Sequence, residues 1–240
     1  MKPLNTLVVI CLSGVIACSS QEESSGCGCG QVETKVDIPA DIFEDSLARL
    51  PTLKRDDLDA DGQRSFDIIV NPDSRYADGL RGPLGMWMYS PKMVEHMFPA
   101  STHLRFGTNK DQRLTELCII TTAREINSQY EYSAHEAAAR RAGLEEDIID
   151  LVKYGRSLDQ AGEVPGMGPV ERTIIQFTRE LINEPKISAE TFVEARKLFG
   201  EEGVMDLTGL IGYYNFVDFT IKTFDVHLAP GRQHLLPVSK

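Results

Sequence analysis

The chain has 240 residues, 42% hydrophobic and 25% charged, a composition that excludes a disordered chain, a collagen and a membrane bundle. Its 25 lysines and arginines face 36 aspartates and glutamates, so the net charge is -11, the wrong sign for a nucleic-acid partner. Four of its 5 cysteines lie in the first thirty residues, so the fold is not expected to depend on disulfides.

Lys2 precedes an apolar run from Leu7 to Leu12 that continues through Gly14-Val15-Ile16-Ala17. The run has the length of an export-signal core and is too short to span a bilayer, so residues 1–17 are expected to be a signal peptide. Val15-Ile16-Ala17-Cys18 resembles a bacterial lipobox, which implies lipidation at Cys18 and a membrane held through acyl chains. Ser19 resembles a signal for outer-membrane retention; plain cleavage and release into the periplasm is the alternative. Residues 18–37 form the expected tether, rich in Ser, Glu and Gly up to Gly30. Cys27 and Cys29 inside it could bind a soft metal or exchange thiols, but no other ligand-type residues accompany them.

From about residue 38 the apolar positions recur at helical spacing, which predicts an all-α domain over 38–240. In chain order the expected helices are Asp41 to Leu50, Gly62 to Val70, Pro91 to Phe98, Asp111 to Ile126 and Gln129 to Ala142. They continue with Glu145 to Tyr154, Val170 to Asn183, Thr191 to Phe199 and Val204 to Phe224. Gly143 and Gly200 stand where C-terminal glycine caps belong, and Pro165 to Pro169 form a stiff joint. Asp206 and Asp218 inside the long last helix argue for burial in protein rather than lipid, which often calls for a second subunit. Asp57, Asp59, Asp61 and Gly62 have the spacing of a calcium loop, but Ile68 stands where its glutamate ligand belongs. Asp61 is instead expected to cap the helix that carries Phe66, Ile68 and Ile69.

The chemistry is expected where two helices meet. On the first, Glu116 shares a face with Ile119, Ile120 and Ala123, so a carboxylate projects from an apolar stripe. It is either a functional titratable group or a structural carboxylate bonded to a neighbouring helix. On the second, Glu131 and His135 are four residues apart and share a face, where a carboxylate can fix the imidazole tautomer and raise its basicity. Ser128 to Glu131 also has the form of a capping box, and His135 could be a core histidine bonded to a carbonyl. The helix N-terminus favours an anion in this region on either reading.

Glu116, the break at Asn127-Ser128, Glu131, His135 and the alanine-rich run to Gly143-Leu144 resemble the carboxymuconolactone decarboxylase family, which includes the alkylhydroperoxidase D-like proteins. Gly82-Pro83-Leu84 and Tyr89-Ser90-Pro91 add to the likeness, which extends roughly from Asp61 to Leu228. The resemblance implies an alkylhydroperoxidase D-like helical fold assembled as a trimer or hexamer. It also separates two branches of chemistry. In the peroxidase branch two cysteines precede the histidine, and alignment on His135 puts Ser128 and Glu131 at their positions. A hydroxyl forms neither a sulfenic acid nor a disulfide, so the thiol mechanism cannot run there. Cys118 lies on a different face from Glu116 and reads as a small core residue.

The decarboxylase branch implies loss of a carboxylate from a small lactone acid, with no metal and no organic cofactor needed if electrons flow into the lactone carbonyl. In that reading His135 donates or shuttles the proton, Glu131 orients it and Glu116 stabilises or relays. Ser128, Tyr130 and Trp87 are the expected substrate contacts, Trp87 with Met86, Met88 and Tyr89 forming either an apolar wall or simple core. The export signal argues for a small acid met outside the cytoplasm. The alternatives are a peroxidase-type antioxidant protein and a non-catalytic lipoprotein that binds a small acid.

Overall fold

The computed structural model describes residues 38–107, 111–159 and 163–237. The expected signal peptide, the expected lipidation residue Cys18, the expected tether and Cys27 and Cys29 lie outside the described residues. The described chain is all-α: α1 (Ala60–Ile69), α2 (Pro83–Trp87), α3 (Pro91–Thr102), α4 (Gln112–Glu125), α5 (Gln129–Arg141), α6 (Glu146–Lys153), α7 (Pro169–Asn183) and α8 (Ala189–Phe224).

Residues 41–50 depart from the helical expectation. They form turns and one isolated antiparallel bridge, Phe43 to Ala48, with Leu47 at φ 54. Local side chains compete for the backbone here: Ser46 Oγ accepts from the Ala48 amide at 3.2 Å and Asp45 Oδ2 from the Thr52 amide at 3.0 Å. The segment then clasps the end of α8, Arg49 N donating to Phe224 O and His227 N to Leu47 O, both at 2.8 Å.

α1 starts two residues earlier than expected because Asp59, not Asp61, is the cap; its Oδ1 accepts from Gly62 N at 2.8 Å. Asp61 pairs with Arg64, and Asp57 Oδ2 accepts from Lys54 N at 2.9 Å, so the calcium-like aspartates serve the local chain. Among the described residues no cluster of three or more His, Cys, Asp or Glu is arranged around a possible metal ion. α3 continues beyond Phe98, through Pro99, and ends in a wide π-type turn, His103–Gly107, that carries Arg105.

α4 is the central rod, buried from Thr115 to Ala123 and packed by α5, α6, α7 and α8. The corner into α5 turns on Asn127 at φ 55. Gly143, at φ 89, ends α5, and Leu144 N closes the turn on Ala139 O at 3.0 Å. The two helices expected at the C-terminal end run on as α8 across a break at Gly200, whose φ of 69 suits glycine. α8 joins two hydrophobic clusters: Leu207, Leu210 and Ile211 pack with α4–α7, whereas Val217 and Ile221 pack with Ile69, Trp87, Met88 and Val94. Asp218 is 1% exposed and bonds Lys222 Nζ at 2.6 Å, as befits a helix buried in protein. Among the described residues no helix is long and apolar enough to cross a membrane.

Candidate functional site

Adjacent placement of α4 and α5 brings Glu116 and His135 together: His135 Nδ1 lies 2.7 Å from Glu116 Oε2. The other carboxylate oxygen, Oε1, accepts from Arg105 Nη2 at 3.2 Å. Burial alone would raise the Glu116 carboxyl, but the His135 ring and the Arg105 guanidinium outweigh it and hold the group below its ordinary value. An ionised Glu116 requires the proton on Nδ1, so the Nε2 lone pair points the other way. Two groups face that nitrogen. Tyr214 OH is 3.3 Å away on α8, and Glu131 Oε2 is 3.4 Å away, one helical turn back on α5. The Tyr214 ring stands edge-on to the imidazole at 5.2 Å and 90°.

Glu131 is in the opposite electrostatic state to Glu116. Burial pushes its carboxyl above the ordinary value, against the pull of His135 and Arg105, which favours the neutral acid. The expected capping box does not form: the Ser128 side chain makes no cap bond to α5. The Ser128 amide already donates to Ala123 O at 2.7 Å, so Glu131 has no donor there to reach back to and turns toward His135 instead.

The site opens into a cavity of about 310 Å³, at the small end of ligand pockets, whose walls include Glu131, His135, Tyr130 and Trp87. Trp87 is held by donation from its Nε1 to Thr220 Oγ1 at 2.7 Å. Tyr130 approaches the backbone of Gly82, whose φ of 61 and lack of a side chain leave room for the hydroxyl. Ser128 is buried, its Oγ without a hydrogen-bond partner, and stands outside the cavity wall. Three residues of the arrangement were not expected from sequence: Arg105, Tyr214 and, at the rim, Arg232. Each sits far along the chain from His135, and only the oddity of two tyrosines in a greasy helix, Tyr213-Tyr214, could have drawn notice.

No family model matches this sequence, and no curated protein does. Among solved structures it is similar to the alkylhydroperoxidase AhpD core of an uncharacterized peroxidase-related protein from Ralstonia eutropha JMP134. The TM-score is 0.58 at 15% sequence identity, over 77% of this chain and 93% of that one. This chain has the alkylhydroperoxidase D-like helical fold. The residue four before His135 is a glutamate, Glu131. Cys118 is 1% exposed and lines a separate apolar cavity of about 80 Å³ between α4 and α8. The groups beside the larger cavity can therefore hold and move protons, but no sulfur among the described residues lines it to take up oxygen.

Proposed function

We propose that this protein is a cofactor-free acid–base enzyme that decarboxylates, or transfers a proton on, a small carboxylated lactone-like molecule. The observation that carries this reading is the chain Glu116–His135, with Tyr214 and Glu131 facing Nε2, at the wall of a cavity. Glu116 holds the Nδ1 proton and steadies the ring, the His135 ring and Arg105 together favour a charged Glu116, and His135 works through Nε2. In decarboxylation the electrons of the breaking carbon–carbon bond move into the conjugated carbonyl system and carbon dioxide departs. The resulting carbanion takes a proton at carbon from protonated His135, or from Glu131 through it, and solvent restores the donor. Trp87 and Tyr130 supply substrate contact.

The test is to follow carbon dioxide release and deuterium uptake at carbon over a panel of lactone acids. His135→Ala should lower turnover by about a hundredfold or more, the usual contribution of a positioned acid–base group; unchanged turnover would remove His135 from the reaction. Reduction of an organic hydroperoxide that depends on Cys118, Cys27 or Cys29 would instead support the peroxidase reading.

The same proposal places the protein outside the cytoplasm, anchored through Cys18 and assembled as a trimer or hexamer. Labelling with a fatty-acid analogue should be lost in Cys18→Ala, and light scattering should give a mass of three or six chains.

A further inference from the structure

Three arginines stand around the mouth of the cavity: Arg75 and Arg81 on the segment between α1 and α2, and Arg232 on the segment after α8. All three are exposed, whereas Glu131 and His135 are sunk, so the arginines mark the mouth and the acid–base groups the floor. Among the described residues none of the three pairs with a carboxylate, while Arg49, Arg55, Arg113, Arg140 and Arg179 each do. Arg75 and Arg81 instead lie over the Tyr76 ring, each 5.0 Å from its centre. Arg81 and Arg232 are each steadied by one donation to a backbone carbonyl, Arg75 O at 2.8 Å and Ser133 O at 3.0 Å. In a chain with eleven surplus negative charges, three uncompensated guanidiniums at one opening make a local positive field that selects for an anion.

Arg232 is held there by a strap. Gln129 grips Leu236 at both backbone groups, donating to its carbonyl at 2.9 Å and accepting from its amide at 3.1 Å. Ser133 Oγ accepts from Leu235 N at 3.0 Å. Both gripping side chains come from α5, the helix of Glu131 and His135, so the strap places its arginine relative to the floor.

Between mouth and floor the walls are aromatic: Tyr76, Trp87, Phe98, Tyr130, Tyr213 and Tyr214. Trp87 meets Tyr213 edge-on at 5.6 Å, and Tyr76 meets Phe98 edge-on at 6.3 Å. Walls of aromatic rings suit a flat aromatic or conjugated guest, which can meet their edges or faces, better than a puckered one.

We infer that the cavity takes a planar aromatic or conjugated acid, its anionic group held at the mouth by Arg75, Arg81 and Arg232 and its ring directed toward His135. This rests on the same cavity as the proposed acid–base function and names its substrate class, but it stands on binding alone and is tested by binding.

Trp87 is the only tryptophan of the chain, so its fluorescence reports occupancy of the cavity. The full chain is titrated with 3-phenylpropanoate, with 3-cyclohexylpropanoate, which has the same charge but a puckered ring, and with 3-phenylpropanamide, which has the same ring but no charge; calorimetry checks each. Phenylpropanoate should bind about tenfold more tightly than either control, the change expected from one charged contact or one well-stacked ring. Arg81→Gln and Arg232→Gln should each weaken phenylpropanoate several-fold and leave the amide unchanged, which also shows that the variants are folded. The selectivity should persist in His135→Ala, so a failure of the catalytic reading leaves this result intact. Equal binding of acid and amide, equal binding of flat and puckered rings, or no binding of any of the three would overturn the inference.

Discussion

Two charge clusters, one half-buried and one buried, branch from the same helix one turn apart, and they have opposite characters. At Arg113, near the start of α4, every guanidinium nitrogen has a partner: Nε donates to Glu145 Oε2 at 3.0 Å, Nη1 to Glu171 Oε1 at 2.6 Å and Nη2 to Gly166 O at 3.2 Å. At Glu116 the carboxylate has Arg105 and His135, but beyond His135 stand two more titratable groups, Tyr214 and Glu131, beside a void. A closed cluster fixes where α6 and α7 join α4. An open one keeps a titratable group whose proton has somewhere to go. Pairing of charge alone does not mark a reactive site; an imidazole nitrogen turned toward a cavity does.

The largest expected effect breaks the open cluster. Glu116→Gln keeps the shape but removes the charge that holds the Nδ1 proton, and turnover should fall by about a hundredfold; it also leaves the buried Arg105 without its carboxylate, so the melting temperature at neutral pH should fall too. Next, Arg113→Ala breaks the closed cluster and should cost about 2 to 3 kcal/mol in urea unfolding, discounted because Glu145 is partly exposed, with turnover per folded molecule preserved. If Arg113→Ala lowered turnover and Glu116→Gln lowered only stability, the comparison would be inverted.

Smaller effects sharpen it through pH. Glu116, held below its ordinary value of 4.5, contributes stability that is present above that value and is lost as pH falls through the lowered native one. Glu131, raised above 4.5, has the reverse sign: its burial subtracts stability as pH rises through the raised native value, and no such cost exists in acid. Glu131→Gln should therefore melt higher than the parent at pH 8, show little difference below pH 4.5, and turn over more slowly. The smallest effect belongs to Tyr214→Phe. Loss of one long hydrogen bond to Nε2 should reduce kcat by about three- to tenfold and leave KM alone, measured on any substrate found in the lactone-acid panel.

Much of the scaffold was readable because it is periodic. The expected limits of α4 to α7 and the break at Gly200 agree with the structure to within a residue or two, since apolar spacing and glycine caps are local signals. Local signals misled where a longer-range bond took the same atom. Ser128 to Glu131 has the capping-box pattern, yet Ala123 O already holds the serine amide; the reach-back occurs instead at Glu171, which accepts from Gly168 N at 2.8 Å. Asp41 to Leu50 reads as helical, but its backbone is engaged by Phe224 and His227.

Sequence by itself determined that this is a helical chain with Glu116 on one helix and Glu131 and His135 on one face of the next, because those relations repeat every three or four residues. Tertiary structure alone decided that Arg105 pairs with Glu116, that Tyr214 faces Nε2 and that Arg75, Arg81 and Arg232 share one opening. These residues come from separate segments of the chain, and no spacing rule connects groups that meet only when helices pack.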